Sequence, residues 1–184
     1  MNIPNKLTLT RLLIVPFIII ALYMQTKEAA YAALTLLVIA WVTDILDGYL
    51  AKKNGLRTKY GVFFDPFVDK ILVSFTFIVL GDLKIIPMWL VILILFRDYV
   101  TQAIRNKAGE KGIILESEWS GKIKFGLQMT TLIFAALLLA LSYSFESIKT
   151  WMLTAIFWAM MVATVEAYYA LFEFLHKNRR ILKI

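Results

Sequence analysis

Runs of apolar residues, each close to the roughly 20 needed for a helix to cross a hydrocarbon layer of about 30 Å, alternate along this chain with short charged breaks. The runs fall at about residues 8–24, 30–52, 62–80, 86–107, 120–142 and 149–175. Between them lie Gln25-Thr26-Lys27-Glu28, residues 52–60, Gly81-Asp82-Leu83-Lys84, residues 106–118 and residues 143–147. The pattern predicts an all-α integral membrane protein of six transmembrane helices. A short interfacial helix at Asn2 to Leu9 is expected ahead of the first crossing, with Pro4 at a natural helix start. No break resembles a domain linker and no repeat is visible, so residues 1–184 read as a single transmembrane domain.

Composition strengthens this reading. Apolar residues make up 60% of the chain, above the roughly 45–50% of soluble domains, and the mean hydropathy is +0.73. A formal charge of +7 would suggest nucleic-acid binding in a soluble protein, but here the basic residues flank the apolar runs and set orientation instead. Lys27, Lys84 and Lys149 lie in the sparsely basic loops. Lys6, Arg11, Lys52, Lys53, Arg57, Lys59, Arg105, Lys107, Lys111, Lys122, Lys124 and the tail cluster lie on the other side. The positive-inside rule then places both termini and the loops 52–60 and 106–118 in the cytoplasm of a multi-pass cell (inner) membrane protein. No nucleic-acid partner is expected. The first apolar run carries Arg11 at its head and no Ala-x-Ala-like site follows, so the N-terminus reads as mature rather than as a cleavable signal.

The chain has no Cys and one His, which excludes disulfides, thiolate metal sites and a cysteine nucleophile. His176 sits in a polar tail and reads as a solvated interfacial residue, not as part of a catalytic triad. Trp41, Trp89, Trp119, Trp151 and Trp158 read as interfacial anchors or packing residues and are assigned no site. Chemistry therefore falls to the carboxylates around the second cytoplasmic loop. Asp44 and Asp47 are spaced i, i+3 and Asp65 and Asp69 i, i+4, so each pair shares one helix face. The second and third helices are expected to be antiparallel neighbours, so that the two faces can converge.

An ionised carboxylate inside an apolar helix costs about 2.5–3.5 kcal/mol on insertion scales, and four together also repel one another. Any single aspartate could be a helix cap, but four at this spacing call for cations. An all-oxygen site suits Mg²⁺, Mn²⁺ or Ca²⁺ better than zinc or copper, and four carboxylates suit two ions bridging a phosphate chain. Gly48 and Ala51 lie beside the acidic face. Their small size would admit a ligand or equally a neighbouring helix.

The segment resembles the signature of the CDP-alcohol phosphatidyltransferases, D-x2-D-G-x2-A-R-x8-G-x3-D-x3-D, at Asp44, Asp47, Gly48, Ala51, Gly61, Asp65 and Asp69, with every spacing kept. It departs at Lys52, where the family has Arg, so a point charge stands in place of a planar fork. The resemblance extends to Asn5-Lys-Leu-Thr-Leu-Thr-Arg11, Arg97-Asp98 and Gly121-Lys122-Ile-Lys124, which are similar to the branch of the family that uses glycerol 3-phosphate.

The resemblance implies transfer of the phosphatidyl group of CDP-diacylglycerol to an alcohol, with release of CMP and use of two divalent cations, Mg²⁺ or Mn²⁺. It further implies that Asp44, Asp47 and Asp65 hold the metals, and that Asp69 both touches a metal and accepts the proton of the attacking hydroxyl. Leu7, Thr8, Leu9, Thr10, Gly48, Ala51, Lys52, Thr58 and Gly61 would contact CDP-diacylglycerol. Thr58 could equally be a turn or cap hydroxyl. A homodimer surrounded by membrane lipid is also implied.

For an acceptor phosphate, Arg97, Thr101 and Arg105 stand at i, i+4, i+8 on one helix face, and Lys122 and Lys124 flank the start of the fifth helix. Arg97 could instead form a structural pair with Asp98, and the two lysines serve orientation equally well. Other acceptors (inositol phosphate, phosphatidylglycerol or serine) remain open. So does an ion transporter, because intramembrane charges also mark transport pathways.

Overall fold

The structure, a computed structural model, describes residues 3–53, 59–110, 119–145 and 149–182. Each predicted run is a helix: α1 (Ile3–Tyr23), α2 (Lys27–Lys53), α3 (Lys59–Asp82), α4 (Met88–Glu110), α5 (Trp119–Ser142) and α6 (Lys149–Leu182). By length and apolar composition, stretches of three of them suffice to cross a membrane: Lys27–Leu46, Phe125–Ser142 and Lys149–Arg179. α1 contributes a shorter apolar run, Leu7–Tyr23. α3 and α4 fall short of that standard because charged residues interrupt them, Asp65, Asp69 and Lys70 in one and Arg97, Asp98 and Arg105 in the other.

The N-terminal segment expected to lie separately along the interface is instead continuous with α1 from Ile3 onward. No glycine or other break falls between Pro4, where a proline is tolerated at a helix start, and Pro16 inside the helix. α6 also outruns its predicted end at 175. Its polar tail continues as helix, with a Lys177–Glu173 ion pair at 3.2 Å and the Asn178 side-chain amide donating to the Phe174 carbonyl at 2.8 Å.

Local chemistry sets the tight turns. Thr26 accepts the Ala29 N–H on its Oγ1 at 3.2 Å, capping α2. Gln25 takes up a left-handed backbone (φ 49°) to reverse the chain after α1. At the α3–α4 turn Lys84 is also left-handed (φ 58°), and the Leu80 carbonyl accepts the N–H groups of both Ile85 and Ile86.

The helices close a ring in the order α1, α2, α5, α6, α4, α3, with α3 also touching α5 across it. Buried Leu37, Leu72, Phe77, Ile94, Met129 and Met160 fill the interior. Fully buried Ala33, Ala40, Ala135, Ala136 and Ala140 let backbones approach closely, the usual means of packing helices where lipid offers no hydrophobic drive. Core hydroxyls find partners in their own helices: Thr76 and Thr164 each donate to the carbonyl four residues back at 2.7 Å. Large apolar side chains such as Leu13, Phe17, Phe96 and Phe172 point outward, as suits a lipid-facing surface.

Trp89, Trp151 and Trp158 are among the exposed aromatics, whereas Trp41 packs against the core. His176 is exposed and stacks on Phe172. Among the described residues α2 and α3 do not pack on each other, contrary to the expectation that they are direct neighbours. α1 stands between them, and this placement builds the site.

Candidate active site

α1 and α3 run parallel in a constant register. Thr8 Oγ1 donates to Asp65 Oδ1 at 2.6 Å, Arg11 Nη1 donates to Asp69 Oδ1, and at the far end the Tyr23 hydroxyl donates to Asp82 Oδ2 at 2.9 Å. The sequence offset of these pairs stays at 57, 58 and 59. Thr8 and Arg11, spaced i, i+3 on one face of α1, thus meet Asp65 and Asp69, spaced i, i+4 on α3. α2 joins from the other side: Arg11 Nη1 also donates to Asp44 Oδ1 at 2.5 Å.

Arg11 and Thr8 are each 1% exposed, while the Asp44 and Asp69 side chains keep 24% and 19% of their surface. The carboxylates therefore line an accessible rim, and the guanidinium is sealed beneath it. Burying a guanidinium in an apolar helix requires opposite charge at hydrogen-bond distance. Two aspartates supply it.

Of the predicted site residues, the structure brings together Asp44, Asp65, Asp69 and Thr8. Leu7 is half-buried, and Leu9 and Thr10 are exposed. The side chains of Asp47, Gly48, Ala51, Lys52, Thr58, Gly61, Lys122 and Lys124 lie outside the described residues. Pro66, directly after Asp65, has no N–H to offer the Val62 carbonyl, its usual helical acceptor, yet α3 runs on through it.

Among the described residues no three acidic or His groups come close enough to hold a metal ion by themselves. The donor set nonetheless suits a hard divalent ion. It is all carboxylate and hydroxyl oxygen, it opens to the surface, and it gathers three carboxylates, two of them bonded to Arg11 and the third to Thr8.

A second polar cluster lies between α3, α4, α5 and α6. Arg97 is 4% exposed; its Nε donates to the Ala167 carbonyl at 2.6 Å and its Nη1 pairs with Asp98 at 3.3 Å. Gln128 Nε2 donates to the other Asp98 oxygen at 3.2 Å. The structural pairing that sequence left open for Arg97 is thus present. Thr101 is buried and donates to the Arg97 carbonyl at 3.0 Å. Arg105 lies over the Phe174 ring, 5.4 Å from its centre, and among the described residues its buried Nε has no hydrogen-bond partner. Lys70 Nζ joins the cluster to α3, donating to Gln102 Oε1 at 2.7 Å and to the Asp98 carbonyl at 3.3 Å.

In the sequence Arg11 reads as an orientation marker and as the end of the Asn5–Arg11 segment that carries the family resemblance, and Lys70, Gln102 and Gln128 carry no signal of their own. A signal for Arg11 was present. An arginine inside an apolar run, three residues after a threonine, demands an intramembrane partner.

Comparison with known proteins places these residues in context. Residues 1–172 match the CDP-alcohol phosphatidyltransferase family. The chain is 31% identical to the CDP-diacylglycerol–glycerol-3-phosphate 3-phosphatidyltransferase of Bacillus subtilis (strain 168), over 99% of this chain and 97% of that one. It is 34% identical to the protein of the same name from Rickettsia felis, over 71% and 72% of the two chains. Its counterpart of that name in Escherichia coli (strain K12) is 32% identical, over 71% and 74%.

Proposed function

This chain belongs to the CDP-alcohol phosphatidyltransferase family, and from that premise we propose that it transfers the phosphatidyl group of CDP-diacylglycerol to sn-glycerol 3-phosphate, releasing phosphatidylglycerophosphate and CMP. It is a transferase of that family. The observation that carries the proposal is the gathering of Asp44, Asp65 and Asp69, from two helices that do not touch among the described residues, onto Thr8 and Arg11 of a third. The acceptor follows from the names of the relatives, one of which aligns over nearly its whole length.

The family uses divalent metal. In the proposed site Asp44, Asp47, Asp65 and Asp69 would hold two ions, Mg²⁺ or Mn²⁺, which when bound neutralise the donor pyrophosphate and the charge that develops on the transferred phosphoryl group. The chain's own residues do the rest. Asp69 accepts the proton of the attacking glycerol hydroxyl as its oxygen bonds to the phosphatidyl phosphorus, and the phosphorus–oxygen bond to CMP breaks. Thr8 positions Asp65 by its hydroxyl. Leu7, Leu9, Thr10, Gly48, Ala51, Lys52, Thr58 and Gly61 form the donor-binding surface, with Lys52 giving charge to the nucleotide phosphates.

Arg97 and Arg105, with Thr101 between them, supply the positive field for the acceptor phosphate, joined by Lys122 and Lys124 from the start of the fifth helix. Arg97 is held rigid by the Ala167 carbonyl and Asp98, and Arg105 is held over Phe174. Fixed cations of this kind bind a dianion without first having to be ordered. The exposed apolar side chains suit membrane insertion. Within this proposal the protein is a multi-pass homodimer with both termini and the active site on the cytoplasmic side.

The acceptor is tested by incubating the purified protein and CDP-diacylglycerol with labelled glycerol 3-phosphate, inositol phosphate, serine or phosphatidylglycerol. Incorporation from glycerol 3-phosphate alone is expected. Turnover of another alcohol with none of glycerol 3-phosphate would overturn the assignment.

A further inference from the structure

Arg11 occupies an unusual position for a residue so deeply buried. A single terminal nitrogen, Nη1, reaches the Oδ1 atoms of two aspartates that belong to different helices. Here it bridges α2 and α3, which among the described residues share no direct packing, and α1 carries the bridge between them. Without a cation at that point, carboxylates from the two helices would face one another across α1 and repel.

The oxygens it takes are those of two residues in the proposed metal set. A carboxylate has lone pairs enough for a guanidinium on one oxygen and an ion on the other, but two cations held within a few ångströms of each other repel.

We propose that Arg11 is the internal counter-cation of this cluster. It holds Asp44 and Asp69, and with them α1, α2 and α3, and its positive charge competes with a divalent ion for those carboxylates. The inference rests on the metal-dependent reading above and adds a role for a positioning residue that acts through Asp44 and Asp69. Linkage makes the competition reciprocal: whatever factor Arg11 takes from metal affinity, metal takes from the Arg11 contacts. Removing Arg11 therefore has two opposite effects, a weaker metal-free fold and tighter metal binding. A residue that only packs α1 would yield the first without the second.

The test uses the full chain in detergent without substrate. Free Mn²⁺ is counted by electron paramagnetic resonance, and the melting temperature is followed in EDTA and in Mn²⁺. In Arg11→Met the Mn²⁺ dissociation constant is expected to fall about tenfold, within the range usual for coupled sites. Its melting temperature should drop in EDTA and recover with Mn²⁺ by more than wild type gains. Arg11→Lys keeps a charge but bridges two carboxylates less well, so it should show a smaller shift in the same direction, and it serves if the methionine variant does not fold. Equal or weaker Mn²⁺ binding in the folded variants overturns the proposal. Failure of the wild-type chain itself to bind Mn²⁺ would instead strike the metal-dependent reading, and the proposal would fall with it.

Discussion

The Lys70 ammonium on α3 donates to the Gln102 side chain on α4 at 2.7 Å, and the Gln102 amide passes the contact on to Asn106 at 2.8 Å. Each end of this link adjoins a residue of the proposed chemistry: Lys70 follows Asp69, the proposed base, and Gln102 follows Thr101 on the arginine-bearing helix. The same ammonium also reaches the Asp98 carbonyl. One side chain thus fixes the helix of the base against the helix that carries the acceptor cations.

Lys70→Met keeps the length of the side chain and removes its hydrogen bonds. Losing bonds from a charged donor and leaving Gln102 short of a partner should destabilise the fold by about 1.5–3 kcal/mol. Because the lost link orients α4 rather than the donor site, KM for glycerol 3-phosphate is expected to rise severalfold, with KM for CDP-diacylglycerol changed little. Steady-state kinetics in both substrates checks this, and an equal change in both constants would contradict it.

Gly81 closes the opposite end of α3. A Cβ there would stand 2.9 Å from the Met88 methyl, 3.1 Å from its sulfur and 3.3 Å from a Val91 methyl. Met88 is exposed and flexible, so Gly81→Ala should melt close to wild type. Branched Gly81→Val presses on Val91 as well and should cost about 1–3 kcal/mol. At about 1.5 Å of rise per residue, Gly81 lies about 18 Å from Asp69 along the helix, so folded Gly81→Val protein should keep normal kcat. Thermal denaturation and initial rates on the same preparation test both halves.

The helices were legible because the apolar runs in α1, α2, α5 and α6 are too long for any other secondary structure. The aspartate motif was legible because its spacing is itself the signal. Helix ends were less so: Pro87 moves the start of α4 to Met88, and the i, i+4 pairing of Glu173 with Lys177 carries α6 past the first polar residues.

The ring order was hidden. Hydropathy shows which segments cross and says nothing about which are neighbours, so α2 and α3, adjacent in sequence, were expected to pack together. In the structure the carboxylates meet through Thr8 and Arg11 of α1 instead. Lys70 is hidden for a related reason: its partner at Gln102, 32 residues away, is set by packing between α3 and α4.

The most direct measurement is CMP release from CDP-diacylglycerol by the detergent-purified chain in the presence of glycerol 3-phosphate, with Mg²⁺ or Mn²⁺ and then with EDTA. Release should require both the divalent ion and the acceptor, and in Asp69→Asn it should fall by about 10²–10⁴, the usual worth of a general base. CMP release that persists in EDTA, or that Asp69→Asn leaves at the wild-type rate, would contradict a carboxylate-held metal site with Asp69 as its base.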